Sequence, residues 1–185
     1  MHTSNHPARR STVAALVITA LFVLTQLYSA IPLIGPVSTD LGRNATFALS
    51  TSFSLCYALG FLIWGPIADH YGRRACLLTG MALLTVATLS CAVTTSLGAL
   101  AVARCIQGIT AASFSPIALA YLSDSTPPAW RGTAIGAMST AFLVAGIFGQ
   151  VTAQAITERW GWHWVFGASS LILFICAGAI AVLMR

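Results

Sequence analysis

Six stretches of the 185-residue chain, at residues 11–31, 47–68, 75–94, 97–122, 132–156 and 165–184, are strongly apolar, and short polar segments separate them. A helix rises about 1.5 Å per residue, so runs of about 20 residues reach across roughly 30 Å of hydrocarbon. The pattern predicts an all-α integral membrane protein with six transmembrane helices behind a polar leader at residues 1–10. Pro32 and Pro36 are expected to end the first span. The third turns into the fourth through Thr95 and Ser96, without a charge. Ser125 or Thr126 stands where a cap is expected for a helix beginning at Pro127 and Pro128.

Composition removes the soluble alternatives. Hydrophobic residues make up 57% and charged ones 7%, with a mean hydropathy of +0.85, which no soluble globular domain of this size shows. The nine basic residues are all arginine and lie scattered between the apolar runs, so the net charge of +5 makes no basic face for nucleic acid. Topology explains them instead. Arg9, Arg10, Arg73, Arg74, Arg131 and Arg185 fall on the leader side, and only Arg43 and Arg159 on the other. The biased side is expected to be cytoplasmic, with both termini there. A cleaved signal peptide fits poorly, since the first run is too long and Tyr28 spoils the cleavage pattern. The five cysteines lie in or beside apolar runs with no C-x-x-C and read as packing residues, and no metal site is expected. There is no H-E-x-x-H, no G-x-S-x-G, no phosphate loop and no histidine inside a span, so no catalytic residue is assigned.

Between the second and third runs stands Gly65-Pro66-Ile67-Ala68-Asp69-His70-Tyr71-Gly72-Arg73-Arg74. An acid, two arginines and two glycines in ten residues make a tight charged hairpin, which has to sit at a membrane face. Gly72 supplies the turn, and Gly65 is read as a place where another backbone comes close. Asp69, at the end of a helix whose dipole disfavours an anion, is expected to pair with Arg73, Arg74 or the N-terminus of another helix. The stretch resembles the signature loop G-x-L-A-D-R-x-G-R-R of the major facilitator superfamily, matching at Gly65, Ala68, Asp69, Gly72, Arg73 and Arg74.

Arg104 is the one charge deep inside a span, with Gln107 three residues on and on the same helix face. An arginine at that depth costs a few kcal/mol on insertion scales, so it is aimed at a watery cavity or a partner, or else snorkels to the headgroups. Arg104 to Ala112 resembles the superfamily's fourth-helix pattern R-x-x-Q-G-x-x-A-A, whose arginine and glutamine the family ties to coupling and substrate handling. In the fifth span Gln150 and Gln154 lie one turn apart among Gly136, Gly146, Gly149 and Ala153. This is similar to the antiporter pattern of proton-driven exporters, without its proline, and reads equally as a packing helix. On the first span Gln26 shares a face with Thr19 and Ser29, and serves either a ligand or a neighbouring helix. Trp160, Trp162 and Trp164 suit the boundary between water and lipid.

The resemblance covers residues from about Val13 to Met184 and implies the N-terminal half of a major facilitator fold, two inverted three-helix repeats. It implies a proton-coupled exporter of small molecules, of the bacterial drug or sugar efflux type, in the inner membrane. Arg104, Gln107, Gln26, Gln150 and Gln154 would then face the substrate and coupling cavity, and the hairpin of Gly65, Asp69, Gly72, Arg73 and Arg74 would latch the cytoplasmic side. The expected partners are the lipid bilayer, a small-molecule substrate and a second six-helix half, supplied by further chain or by a second copy. No cofactor is expected beyond the proton gradient as driving force. The alternative is a non-transporting six-helix scaffold or regulatory subunit.

Overall fold

The computed structural model describes residues 10–184, and all regular structure among them is helical. The leader before Arg10, and Arg185, lie outside the described residues. Six spans long and apolar enough to cross a membrane are built from eight α-helices and one π-helical turn. The first span is α1 (Arg10–Tyr28), continued by α2 (Ala30–Asp40). The second is a π-helical turn (Phe47–Thr51) leading into α3 (Ser52–Tyr71), and the third is α4 (Arg73–Ala92). The fourth is α5 (Leu97–Ala111) with α6 (Phe114–Ser125), the fifth α7 (Pro128–Trp160) and the sixth α8 (Trp162–Leu183).

The prolines act differently from the expectation. Pro32 and Pro36 do not end the first span, because the helix runs on to Asp40. A proline ring instead crowds the carbonyl four residues earlier and leaves it without a donor. For Pro32 that carbonyl belongs to Tyr28, where α1 stops. Pro116 repeats the effect in the fourth span, since four residues before it stands Ala112, where α5 gives way to α6. Pro66 lies inside α3 without interrupting it. One other local expectation also fails. Neither Ser125 nor Thr126 caps α7, which starts behind Pro127 with no side-chain cap. Of the three indoles expected at the boundary, Trp160 and Trp164 are exposed, whereas Trp162 is buried and donates to Asp40 Oδ2 at 2.9 Å.

Three pairs of helices pack most closely: α1 of the first span with α7 of the fifth, α3 of the second with α5 of the fourth, and α4 of the third with α8 of the sixth. Exchanging first with fourth, second with fifth and third with sixth maps these pairs onto one another. It also maps the next tier, third on fourth, onto first on sixth. Spans three apart run in opposite directions, so the bundle is two inverted units of three helices. Two apolar clusters fill it. One gathers residues such as Leu16, Met81, Phe114 and Ile180, the other Leu33, Leu100, Val165 and Phe166.

Glycines decide how close the spans come, since helices in lipid associate through packing rather than through escape from water. A Cβ on Gly108 would lie 2.4 Å from the Phe53 carbonyl oxygen, so α5 meets the backbone of α3 there. A Cβ on Gly80 of α4 would lie 1.9 Å from Ser113 Oγ, beside the break in the fourth span. Gly65, by contrast, has nothing within 4 Å of where its Cβ would be. Within this chain the second span meets its neighbour at Gly60 instead. Gly108→Ala is therefore expected to destabilise the bundle by about 1–3 kcal/mol, read as a lower thermal unfolding midpoint in detergent. Gly65→Ala is expected to stay within about 0.5 kcal/mol of wild type.

Candidate functional site

Where the two apolar clusters meet, the bundle holds a buried polar network centred on Arg104. Helical spacing puts Arg104 and Gln107 on one face of α5, and the glycine contact draws that face against the second span. Arg104 is 0% exposed. It does not snorkel. Its Nε donates to the Leu49 carbonyl at 2.8 Å, and its Nη1 donates to the Gln26 carbonyl at 3.1 Å and to Gln107 Oε1 at 2.7 Å. The guanidinium carbon lies 4.2 Å from the centroid of the Phe53 ring and 5.7 Å from that of Phe166, one residue from each cluster. Its Nη2 has no partner among the described residues.

Around these groups stand amides and one hydroxyl. Gln107 Nε2 donates to Gln26 Oε1 at 3.2 Å and to Thr88 Oγ1 at 2.9 Å, and Gln26 Nε2 donates to the Phe22 carbonyl at 3.1 Å. Cys91 Sγ stands 3.6 Å from Gln107 Oε1. The network thus ties the first four spans together. Among the described residues no carboxylate pairs with Arg104, so its charge is met by oxygen dipoles and aromatic faces alone. Such a site is electropositive and closed to water in this conformation.

The other residues singled out in the sequence lie apart from it. Gln150 is half-buried and donates back to the Gly146 carbonyl at 2.9 Å. Gln154 is exposed and donates to Glu158 Oε1 at 3.0 Å. The latter bond exists because α7 runs four residues beyond the expected end of the span, to Trp160, and so takes in Glu158. Gly149 serves packing, since a Cβ there would lie 3.2 Å from the Thr25 carbonyl oxygen of α1.

The hairpin turns at Gly72, whose φ of +88° is left-handed territory where a side chain strains the backbone. Asp69 is exposed and has no hydrogen-bond or ionic partner among the described residues, unlike the expected pairing within the loop. Arg73 turns away from it, pairs with Asp124 of α6 and donates to the Ala120 carbonyl at 2.8 Å. Arg74 reaches the Ala181 carbonyl of α8 at 3.4 Å. The loop is thereby bolted to the fourth and sixth spans while its acid points outward. Sequence reasoning passed over Thr88 and the Leu49 carbonyl. The first is one hydroxyl among many in apolar helices, and the second belongs to a π-helical turn that no residue type announces.

The sequence profile of the Major Facilitator Superfamily matches residues 16–185. Multidrug resistance protein 3 of Bacillus subtilis (strain 168) is 31% identical over 148 residues, which are 76% of this chain and 29% of that protein. Multidrug export protein EmrB of Haemophilus influenzae is 32% identical over 133 residues, 70% of this chain and 26% of that one. The crystal structure of a bacterial homologue of the human lysosomal transporter Spinster, inward-facing and occupied, matches with a TM-score of 0.87 at 21% identity. It covers 97% of this chain and 45% of its own. The chain therefore spans less than a third of these two curated relatives and under half of that solved fold.

Arg104→Lys tests the geometry of the network. A single ammonium cannot reach three oxygens that a planar fork reaches from two sides. The expected loss is about 2 kcal/mol or more, seen as a lower unfolding midpoint, whereas Gln154→Ala on the exposed face is expected to leave the midpoint unchanged.

Proposed function

The chain belongs to the major facilitator superfamily, and from that premise we propose that it forms the N-terminal six-helix half of a secondary transporter that exports small molecules. The names of the curated relatives, multidrug resistance and multidrug export proteins, support export of drug-like cargo. The observation that carries the reading is the sealed Arg104 network. A structural scaffold gains nothing from a guanidinium stripped of water without an anion, because well-packed apolar side chains do the same work at lower cost. A transporter gains an electropositive centre that opens to a pathway in one state and closes in another.

In this reading Arg104, Gln107 and Gln26 form the coupling centre, occluded here, and Gln150 and Gln154 line the route along the fifth span. A second six-helix half, from further chain or from a second copy, faces the apolar surfaces of α3 and α7 that carry Leu55, Leu59, Leu143 and Ile147. Asp69, outward and unpartnered among the described residues, latches onto a helix of that half on the cytoplasmic side and releases it during the cycle. The energy comes from the proton gradient. The proton carrier belongs to the second half, since the acids here, Asp40, Asp69, Asp124 and Glu158, sit at helix ends. The arginine bias supports a cytoplasmic Arg10 end, and the membrane in this reading is a bacterial inner membrane.

The test is an efflux assay in the full-length transporter. Asp69→Asn and Arg104→Ala are each expected to lower efflux by about tenfold or more while the protein still reaches the membrane. Wild-type efflux from both variants would remove the latch and the coupling centre from the mechanism.

A further inference from the structure

A second site lies at the Arg10 end of the bundle, away from Arg104. Arg10 holds its guanidinium over the Trp130 indole, 4.4 Å from the ring centroid. Beside this pair is a half-open cleft of about 470 Å³ between α1, the connection from α6 to α7, and α7, with Val13, Val17, Ala134 and Ala137 among its walls. That is the size of sites that take small organic ligands, which are mostly apolar with a few polar groups converging on them. None of the lining residues is acidic. α7 begins here, so its N-terminus adds a partial positive charge to that of Arg10.

Thr126 is the independent sign of a ligand. It lines the cleft and is 5% exposed, and its Oγ1 has no hydrogen-bond partner among the described residues. A buried hydroxyl left unmatched is uncommon and costs on the order of 1–3 kcal/mol. The expected capping role would have satisfied it, but Pro127 takes the cap position of α7.

We propose that this cleft binds an amphipathic organic anion. Its charged end sits at Arg10, its apolar body lies against Val13, Val17, Ala134 and Ala137, and Thr126 Oγ1 donates to an acceptor on it. The dimensions favour a soluble amphiphile over a phospholipid. The walls run from Arg10 to Val17 and from Trp130 to Ala137, about 10 Å along either helix, whereas the hydrocarbon of one leaflet is about 15 Å deep. What the site is for, capture of cargo at the cytoplasmic mouth, rests on the transport reading above. The binding itself is tested without transport.

The experiment follows tryptophan fluorescence of the full chain in nanodiscs of zwitterionic phospholipid. The probe is octanoate brominated on its terminal carbon, a contact quencher, and its neutral twin is the brominated octanol. The expected result is saturable quenching by the acid that is lost in Trp130→Phe. Half-saturation should rise about tenfold in Arg10→Gln, several-fold in Thr126→Val, and about tenfold for the alcohol. Linear quenching equal for acid and alcohol, or an unchanged Arg10→Gln, would overturn the site. Displacement of the acid by phosphatidylglycerol built into the nanodiscs would give the cleft to a bilayer lipid and overturn it as well. Saturable binding in a chain that fails the efflux assay keeps the cleft and removes the transport reading. Efflux without binding does the reverse.

Discussion

A guanidinium taken out of water with no anion beside it has to be held by oxygen dipoles, and the helices around Arg104 are shaped to deliver them. Removing such a charge from water costs several kcal/mol even after the protein relaxes. Hydrogen bonds to a charged group return about 1.5–3 kcal/mol each. Three of them, with a ring face at 4.2 Å, roughly offset the loss. An ordinary α-helix has few carbonyls to spare for this. The two backbone oxygens used here come from a π-helical turn, at Leu49, and from the last turn of α1 before its break, at Gln26. Irregular backbone inside the bilayer is tolerated where protein buries it, and here protein does.

The close packing that makes this possible rests on small residues. Gly60 and Gly108 bring the second and fourth spans together, Gly80 seats the break of the fourth span against the third, and Gly149 joins the fifth to the first. Each contact binds a helix of one three-helix unit to a helix of the other. The polar network crosses the same boundary, from Gln26 and Thr88 on one side to Arg104 and Gln107 on the other. Shape and polarity therefore both fix the relative position of the two units.

Much of this was legible in the residues. Six spans follow from apolar length, and Arg104 with Gln107 follows from a spacing of three in an otherwise uncharged helix. What escaped was whatever depends on partners far away in sequence or on backbone atoms. The sequence offers Asp69 three partners, Arg73, Arg74 or the N-terminus of another helix, yet the acid that Arg73 meets, Asp124, is 51 positions on. Asp69 turned out to face outward because the start of α4 aims Arg73 at α6. Pro32 was taken as the end of a helix because a proline is easiest to read as a stop. Its ring acts on the turn behind it, and three more turns of helix follow. Residue type also does not announce that Gln150 and Gln154, one turn apart, each bond within their own helix, to the Gly146 carbonyl and to Glu158.

The first and fourth spans occupy equivalent places in the two units, and each is interrupted about one turn ahead of a proline, at Ser29 and at Ala112. A continuous rod resists bending because its ladder of amide bonds would have to stretch. An articulated one has already given up those rungs. Each of these two spans is thus a pair of segments meeting at a joint where fewer amide bonds would have to stretch. Because the joints are related by inversion, one lies in a rod running toward one face and the other in a rod running back.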